Sequence, residues 1–497
     1  MQYSILTDLE NTARRFPEKT AVIEDTHSVC WGEFASAAKR VGTALARENV
    51  AGKPVATYME KSIEALNVFF GAVYAGACYS YLNPELPNAR LNSIQSVLNA
   101  AIIVTTDSWL EITKQTFPDA KVVSVSALLA SEIDEELLSS VRARAIDTDP
   151  LYINFTSGST GTPKGIAVGH RSVIDFIDCF TELFSITERD VIANQAPLDF
   201  DVSVKDIYSA IKTGASLVLI PRWMFVSPAT LIDFLCETKV TTLTWAVSAL
   251  CLITTFHGLD YKTPETIEKV LFSGEVMPMK HLKNWMEHLP NATFVNLYGP
   301  TEITCNCTYH VLSRERSYSG GLPIGKPFPN ERVFLLDSEN REITAPDVPG
   351  EICVAGSALA LGYYRNPEQN QAHFVQNPLN DRYPETIYRT GDLGKYAESG
   401  ELFFCGRKDF QIKHMGHRIE LEEVERAMAA IDGVELLLHV RRKEIAAARV
   451  LCRQHRQKGA ARGNDQIASY LYGARNAAPD RRNAAYEKRQ DRSQVAR

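Results

Sequence analysis

The chain has 497 residues, 45% of them hydrophobic, with 53 Lys and Arg against 60 Asp and Glu and a net charge of −7. That length and apolar content exclude a disordered chain and predict two or more packed domains. No apolar run reaches the roughly 18 residues of a membrane span, no basic segment with an apolar core opens the chain, and the acidic balance repels phosphate backbones, so neither membrane nor nucleic acid is expected as a partner. Ten scattered cysteines without C-x-x-C pairs read as reduced thiols rather than as a zinc site, and the expected location is the cytoplasm.

Taken in order, short apolar strands alternate with helical patterns. "KPVATYM" precedes the helical "SIEALNVFFGAVYAG"; "AAIIVTT", "KVVSV" and "LYINF" follow; "SLVLIP" leads into the helical "PATLIDFLCET" and then "TTLTWAV". This alternation predicts an α/β architecture with mainly parallel sheets. From about residue 325 the strands shorten between Gly and Pro turns, as in "ERVFLLDSENREI", "GEICVAG" and "GELFFCGR", which predicts a β-rich subdomain up to 406. "RIELEEVERAMAAI" then reads as an amphipathic helix that opens a small further domain.

One loop carries chemistry by composition alone. "LYINFTSGSTGTPKGIAV" sets an apolar strand, Leu151 to Phe155, before a run of Thr, Ser and Gly that ends in Lys164. Backbone N–H groups, hydroxyls and one cation suit polyphosphate oxygens, and the glycines admit close approach. The spacing is not that of a Walker sequence, so composition points to a phosphate loop and no further.

"FTSGSTGTPKG", "NLYGPTE", "GEICVAGSALALGYYRNPE", "YRTGDLGKY" and "GRKDFQIKHMGHRIELEEVE" occur in the order of the adenylate-forming superfamily, which the chain resembles over roughly residues 10–435. That superfamily includes nonribosomal peptide synthetase adenylation domains, D-alanine:carrier protein ligases, acyl-CoA synthetases and luciferases. The resemblance implies a large α/β core over 1–406 with parallel-type sheets flanked by helices, then a hinge and a small C-terminal α+β domain, incomplete here, from 407 to 435. It also implies ATP and Mg²⁺, and a reaction in which a carboxylate attacks the α-phosphate of ATP before a thiol takes the acyl group. Two anions must meet, so cations and donors are needed more than a protein nucleophile. By motif, Thr156, Ser157, Gly158, Ser159, Thr160, Gly161 and Lys164 would hold the pyrophosphate end. In Asn296, Leu297, Tyr298, Gly299, Pro300, Thr301 and Glu302, the tyrosine would lie near adenine, Thr301 would touch the α-phosphate and Glu302 would ligate the metal. Asp392 would accept from the ribose hydroxyls, Phe404, Cys405, Gly406 and Arg407 would help hold the nucleotide, and Asp409 would be the hinge.

"PLDFDVSVKDIYSA" resembles the segment with which amino-acid-activating members bind the α-ammonium, which makes Asp201 its counter-ion. A buried carboxylate of this kind is costly unless paired, so it favours an amino acid over a fatty or aromatic acid. Matching positions for the side-chain pocket are Val202, Lys205, Thr244, Leu271, Ser273, Leu297, Cys305 and Asn306. Lys205 could face an acidic side chain or snorkel outward; the sequence leaves both open. Likeness to D-alanine:carrier protein ligases and stand-alone adenylation domains implies an acceptor thiol on the phosphopantetheine of a separate carrier protein. An acyl-CoA synthetase and a degenerate, non-catalytic ATP-binding protein remain the alternatives.

The last stretch is of another texture: residues 436–497 hold 15 Lys/Arg against 5 Asp/Glu, whereas residues 1–435 hold 38 against 55. The superfamily closes with Y-M-V-P and, some twenty residues on, N-G-K-x-D-R, whose lysine serves adenylation. Neither segment occurs here. Back-translated with permitted codons and read one base later, "KRQDRSQVAR" becomes N-G-K-I-D-R-K-S-L, and "LYGARNAAPDRRNAAYE" becomes Y-M-V-P-G-T-L-H-R-I-D-E-M-P-L-T. The expectation is an out-of-frame, poorly ordered tail from about 436, nucleotide binding retained and adenylation impaired.

Overall fold

Apolar, β-branched runs lie in two sheets built largely of parallel pairs, although Lys164–Gly169 in the second is antiparallel to both its neighbours. A computed structural model describes residues 4–157, 162–408, 411–414 and 417–420. Gly158, Ser159, Thr160, Gly161, Asp409 and the stretch 436–497 lie outside the described residues.

The nine-stranded sheet runs Lys326–Pro327, Thr308–Val311, Thr293–Tyr298, Lys269–Ser273, Thr242–Ala246, Val191–Asn194, Ser216–Leu219, Thr20–Glu24, His27–Cys30. From Thr293–Tyr298 to Thr20–Glu24 every pairing is parallel, and the edges are antiparallel. A seven-stranded sheet runs Gly362–Tyr363, Lys164–Gly169, Pro150–Thr156, Cys78–Tyr81, Pro54–Thr57, Ile102–Thr105, Val122–Ser124. One apolar core extends from this sheet to the first through the helices Trp31–Arg47, Ile63–Tyr74 and His170–Leu183, with Val41, Phe70, Phe176, Val55 and Leu217 among its members. Strands buried on both faces read as continuous apolar runs, which is why their sequence signal is strong.

The third sheet is antiparallel: Glu342–Ile343, Glu331–Leu336, Gly350–Gly356, Thr386–Tyr396, Phe374–Gln376, with Leu402–Arg407 also paired to Thr386–Tyr396. This is the β-rich region its Gly and Pro turns predict. Residues up to Ile419, apart from 158–161, group as one compact unit. The helix read from Arg418 onward needs correction at its start. His417–Glu420 is a strand that forms a two-stranded sheet with Gln411–His414, because a locally amphipathic run yields to strand pairing where a partner strand is at hand. The nine cysteines among the described residues are free thiols, and no helix among those residues is long and apolar enough to cross a membrane.

His170 opens its helix nearly enclosed, and its Nδ1 accepts from the Ile5 amide at 3.3 Å. Burial, with the Arg142 charge in support, holds the imidazole down at about 4. The unfolded chain takes up this proton near pH 6.5 and the folded chain only near 4, so stability falls as pH drops through that window. Denaturant unfolding at pH 7 and pH 5 should show His170→Gln losing about 2 kcal/mol less than the parent over that interval. Equal losses in both proteins would contradict the assignment.

Candidate functional site

The parallel strand Thr293–Tyr298 ends at a tyrosine, and the chain leaves it through Gly299 and Pro300 into the short 3₁₀ turn Thr301–Ile303. Gly299 has to be glycine, since a Cβ there would stand 2.5 Å from the Asn306 Cα and 2.7 Å from the Cys305 carbonyl oxygen. The loop folds back on itself that closely because Thr304 (φ 47°) and Cys305 (φ 76°) take left-handed backbone, unusual for residues with side chains and common where a site is built.

Three groups of side chains assemble around this loop. In the first, the Tyr298 hydroxyl donates to Asp392 Oδ2 at 2.6 Å, and Arg407 Nη1 lies 2.5 Å from Asp392 Oδ1. Asp392 and Arg407 face each other across paired strands, and Phe404 sets its ring 6.2 Å from that of Tyr298. Asp392 is 4% exposed, yet a carboxylate has about four acceptor positions, so it can take further donors. Burial first, then the Asp392 charge, drives the Tyr298 phenol well above its ordinary range, and it stays a donor.

In the second group, Thr156 and Lys164 pair across the hairpin that carries the Ser/Gly loop, and Arg90 Nη2 donates to the Thr156 carbonyl at 3.2 Å. Lys164 holds its ammonium 5.8 Å above the Tyr363 ring. The Tyr363 hydroxyl donates to Glu302 Oε1 at 2.8 Å, and Glu302 is buried. Tyr363 thus joins a lysine and a carboxylate that are far apart in sequence. It stands within the "GYYRNPE" stretch, but composition does not single it out.

The third group surrounds the start of the helix Val202–Thr213. The Cys305 thiol donates to the carbonyl of Asp201, the helix's N-cap residue, at 2.9 Å. Lys205, 1% exposed, donates to Asn306 Oδ1 at 2.9 Å and Ser273 Oγ at 3.3 Å, so it points inward rather than snorkelling. Thr244 donates its hydroxyl to the buried Asp206. Leu271 and Leu297 are buried on neighbouring parallel strands. Asn296 stands apart from all three groups, its amide donating to the Pro323 carbonyl at 2.8 Å.

Two charged residues not singled out by the motifs meet beside the third group. Asn194 Nδ2 donates to Asp206 Oδ2 at 2.8 Å, while Lys61 Nζ donates to Asn194 Oδ1 at 3.1 Å and to its carbonyl. Burial pushes Asp206 up to about 7 and Lys61 down to about 7, as desolvation disfavours either charge. No local pattern announces this network, because its contacts span up to 133 residues of sequence. Among the described residues no group of three or more His, Cys, Asp or Glu could hold a metal ion.

Comparisons with known proteins bear on the family and the fold. Residues 9–364 match the family described as AMP-binding enzyme. Bacitracin synthase 1 of Bacillus licheniformis is 31% identical over 437 residues, which cover 88% of this chain and 8% of that protein. The chain therefore spans a small fraction of that relative. Zwittermicin A synthase ZmaJ of Bacillus cereus is 32% identical over 436 residues, covering 86% of this chain and 80% of that protein. Among solved structures, holo-PA1221, a nonribosomal peptide synthetase protein containing adenylation and PCP domains, superposes with a TM-score of 0.76 at 25% identity over 88% of this chain and 74% of its own.

The Asp392 cluster makes a prediction independent of any ligand. Asp392→Asn leaves a largely enclosed guanidinium without its carboxylate and should cost about 3 kcal/mol of unfolding free energy. Tyr298→Phe removes the donor to the Asp392 carboxylate and should cost about 2 kcal/mol. Denaturant titration that ranks the two in reverse, or finds both neutral, would contradict the geometry.

Proposed function

Since the chain belongs to the AMP-binding enzyme family, among relatives of nonribosomal peptide synthetase adenylation type, we propose that it activates an amino acid with ATP and passes it to the phosphopantetheine thiol of a carrier protein. The observation that carries this reading is the convergence, around the loop 299–306, of one cluster suited to a nucleotide and another suited to a zwitterion.

A carboxylate oxygen of the amino acid attacks the α-phosphorus, the bond to the oxygen bridging the α- and β-phosphates breaks, and pyrophosphate leaves. In the second step a thiolate attacks the acyl carbon, its proton having passed to solvent, and AMP departs with the electron pair of the acyl–oxygen bond. Asp392 accepts from the ribose hydroxyls, with Tyr298 beside the base and Arg407 fixing the carboxylate's direction. Lys164 lowers the repulsion between the two anions, which in a dry site acts more strongly than in water. Thr301 stands next to Glu302 at the α-phosphate, and Asp201 pairs with the α-ammonium. Glu302 is the residue that would hold a magnesium ion, a hard cation that takes carboxylate oxygen. Such an ion supplies neutralisation of phosphate charge when bound.

The carrier step is supported by likeness to a protein that contains adenylation and PCP domains. We also propose that adenylation by this chain is slow, because residues 436–497 contain no counterpart of the lysine in N-G-K-x-D-R.

Amino-acid-dependent exchange of pyrophosphate into ATP tests the reading directly. The chain as it stands should exchange weakly, and a version whose frame is corrected by one base near residue 436 should exchange about 100- to 1000-fold faster. In the corrected version Asp201→Ala should raise the amino-acid requirement about tenfold or more through loss of a charge-assisted contact. Exchange stimulated by fatty acids instead, or by no acid in either version, would overturn the proposal.

A further inference from the structure

Every residue of the stretch 357–360, between the strands Gly350–Gly356 and Gly362–Tyr363, is hydrogen-bonded, and the partners come from three directions. Ser357 Oγ donates to Asp175 Oδ2 at 2.5 Å and Ser172 Oγ donates to the Leu359 carbonyl at 2.8 Å, which ties the stretch to the helix His170–Leu183. The Ala358 amide donates to Glu331 Oε1 at 3.0 Å, which ties it to the start of the strand Glu331–Leu336. The Thr304 hydroxyl donates to the Ala358 carbonyl at 2.7 Å, and the Ala360 amide donates to the Glu302 carbonyl at 2.9 Å. The stretch is therefore a strap along the loop 299–306. It runs on into Tyr363, which bonds the Glu302 carboxylate.

Glu331 is the unexpected member. It is 8% exposed, and its Oε2 has no hydrogen-bond partner among the described residues, although a buried polar group is costly unless bonded. Glu331 pairs with Gly356 across the antiparallel ladder, and a Cβ on Gly356 (φ 153°) would stand 2.3 Å from that Oε2. Glycine thus lets the side chain pass its cross-strand neighbour and reach Ala358. An apolar side chain would fill the space without the desolvation cost, but it would leave the Ala358 amide without its acceptor.

Burial, opposed by the Ala358 bond and aided by the Asp175 charge, pushes the Glu331 carboxyl up to about 8. The thiols beside it are raised as well, chiefly by burial: Cys307 on the chain leaving the loop, and Cys179, which bonds the Asn330 backbone. Both are uncharged at neutral pH, so Asp175, bonded by Asn330 Nδ2 and Ser357 Oγ, is the charge that bears on Glu331. Loss of the Glu331 proton would set a second negative charge near Asp175 with one of its oxygens unbonded.

Resting on the reading of the loop 299–306 as part of an adenylation site, we propose that Glu331 is a positioning residue for that loop: its grip on Ala358 fixes the strap 357–360, and the strap fixes the Glu302 backbone and the Thr304 hydroxyl. Ionisation of Glu331 loosens the strap and the loop with it.

Hydrogen–deuterium exchange of the full 497-residue chain tests the linkage, and calorimetric titration with ATP and Mg²⁺ tests its consequence. Glu331→Asp draws the carboxyl back from Ala358 by one methylene. It should speed exchange about fivefold in both 357–360 and 299–306 and weaken nucleotide binding by a similar factor. Glu331→Gln keeps an acceptor for Ala358 and carries no charge, so its exchange and binding should match the parent at neutral pH. As pH rises through about 8 the parent should lose about fivefold in affinity, whereas Glu331→Gln should not. Packing alone would not produce that difference. Faster exchange in Glu331→Asp confined to the strand Glu331–Leu336 and its sheet, with 299–306 unchanged, would overturn the inference. So would one pH profile shared by the parent and Glu331→Gln. Failure of the parent to bind nucleotide at any pH would overturn the adenylation reading instead, and the exchange pattern would still decide whether Glu331 sets the loop.

Discussion

The buried carboxylate of Asp392 couples two sheets that share no backbone ladder at that point. It belongs to the antiparallel strand Thr386–Tyr396, yet it accepts from Tyr298 at the end of the parallel strand Thr293–Tyr298, while Arg407 clamps its other oxygen. Removing an ionised carboxylate from water is tolerable only when its acceptor positions are filled, and here a phenol and a guanidinium fill two of them. The loop 299–306 starts beside this anchor. Its close return past Gly299, the placement of Glu302 against Tyr363 and the arrival of Asn306 at Lys205 all follow from where Tyr298 is held.

The same constraint, that buried charge must be bonded, orders the rest of the site. Lys61 and Asp206 meet through Asn194, Glu302 is bonded by Tyr363, and Lys205 by Ser273 and Asn306. Such a surface at the carboxyl ends of parallel strands is pre-organised: its dipoles and charges are already oriented before a ligand arrives, so little reorganisation remains for the moment of reaction. Reading the site as an adenylation centre accounts for why so much charge is enclosed in one place.

The parallel sheets were legible because strands buried on both faces, such as Ile102–Thr105 and Ser216–Leu219, are apolar but for one end residue and alternate with helical periods. The members of the Asp392 cluster were legible as motif residues, since Tyr298, Asp392 and Arg407 each sit in a stretch of recognisable pattern. What the pattern could not convey was direction. Lys205 has the same neighbours in sequence whether it faces the pocket or the solvent, and only the return of Asn306 and Ser273 from 101 and 68 residues away decides it. Tyr363 and Lys61 were hidden for the same reason, their roles being set by partners on other strands. The strand His417–Glu420 escaped because its local period favours a helix and strand pairing overrules it.

The central claim is that the cluster around Asp392 is a nucleotide site whose loop presents the neighbouring charged pocket to an amino acid. A crystal structure of the chain grown with AMP tests it most directly. The account predicts ribose hydroxyls within hydrogen-bonding distance of the Asp392 carboxylate, adenine beside the Tyr298 ring and the phosphate near Thr301. AMP bound elsewhere on the chain, with the Tyr298, Asp392 and Arg407 bonds intact and no nucleotide atom touching them, would contradict it.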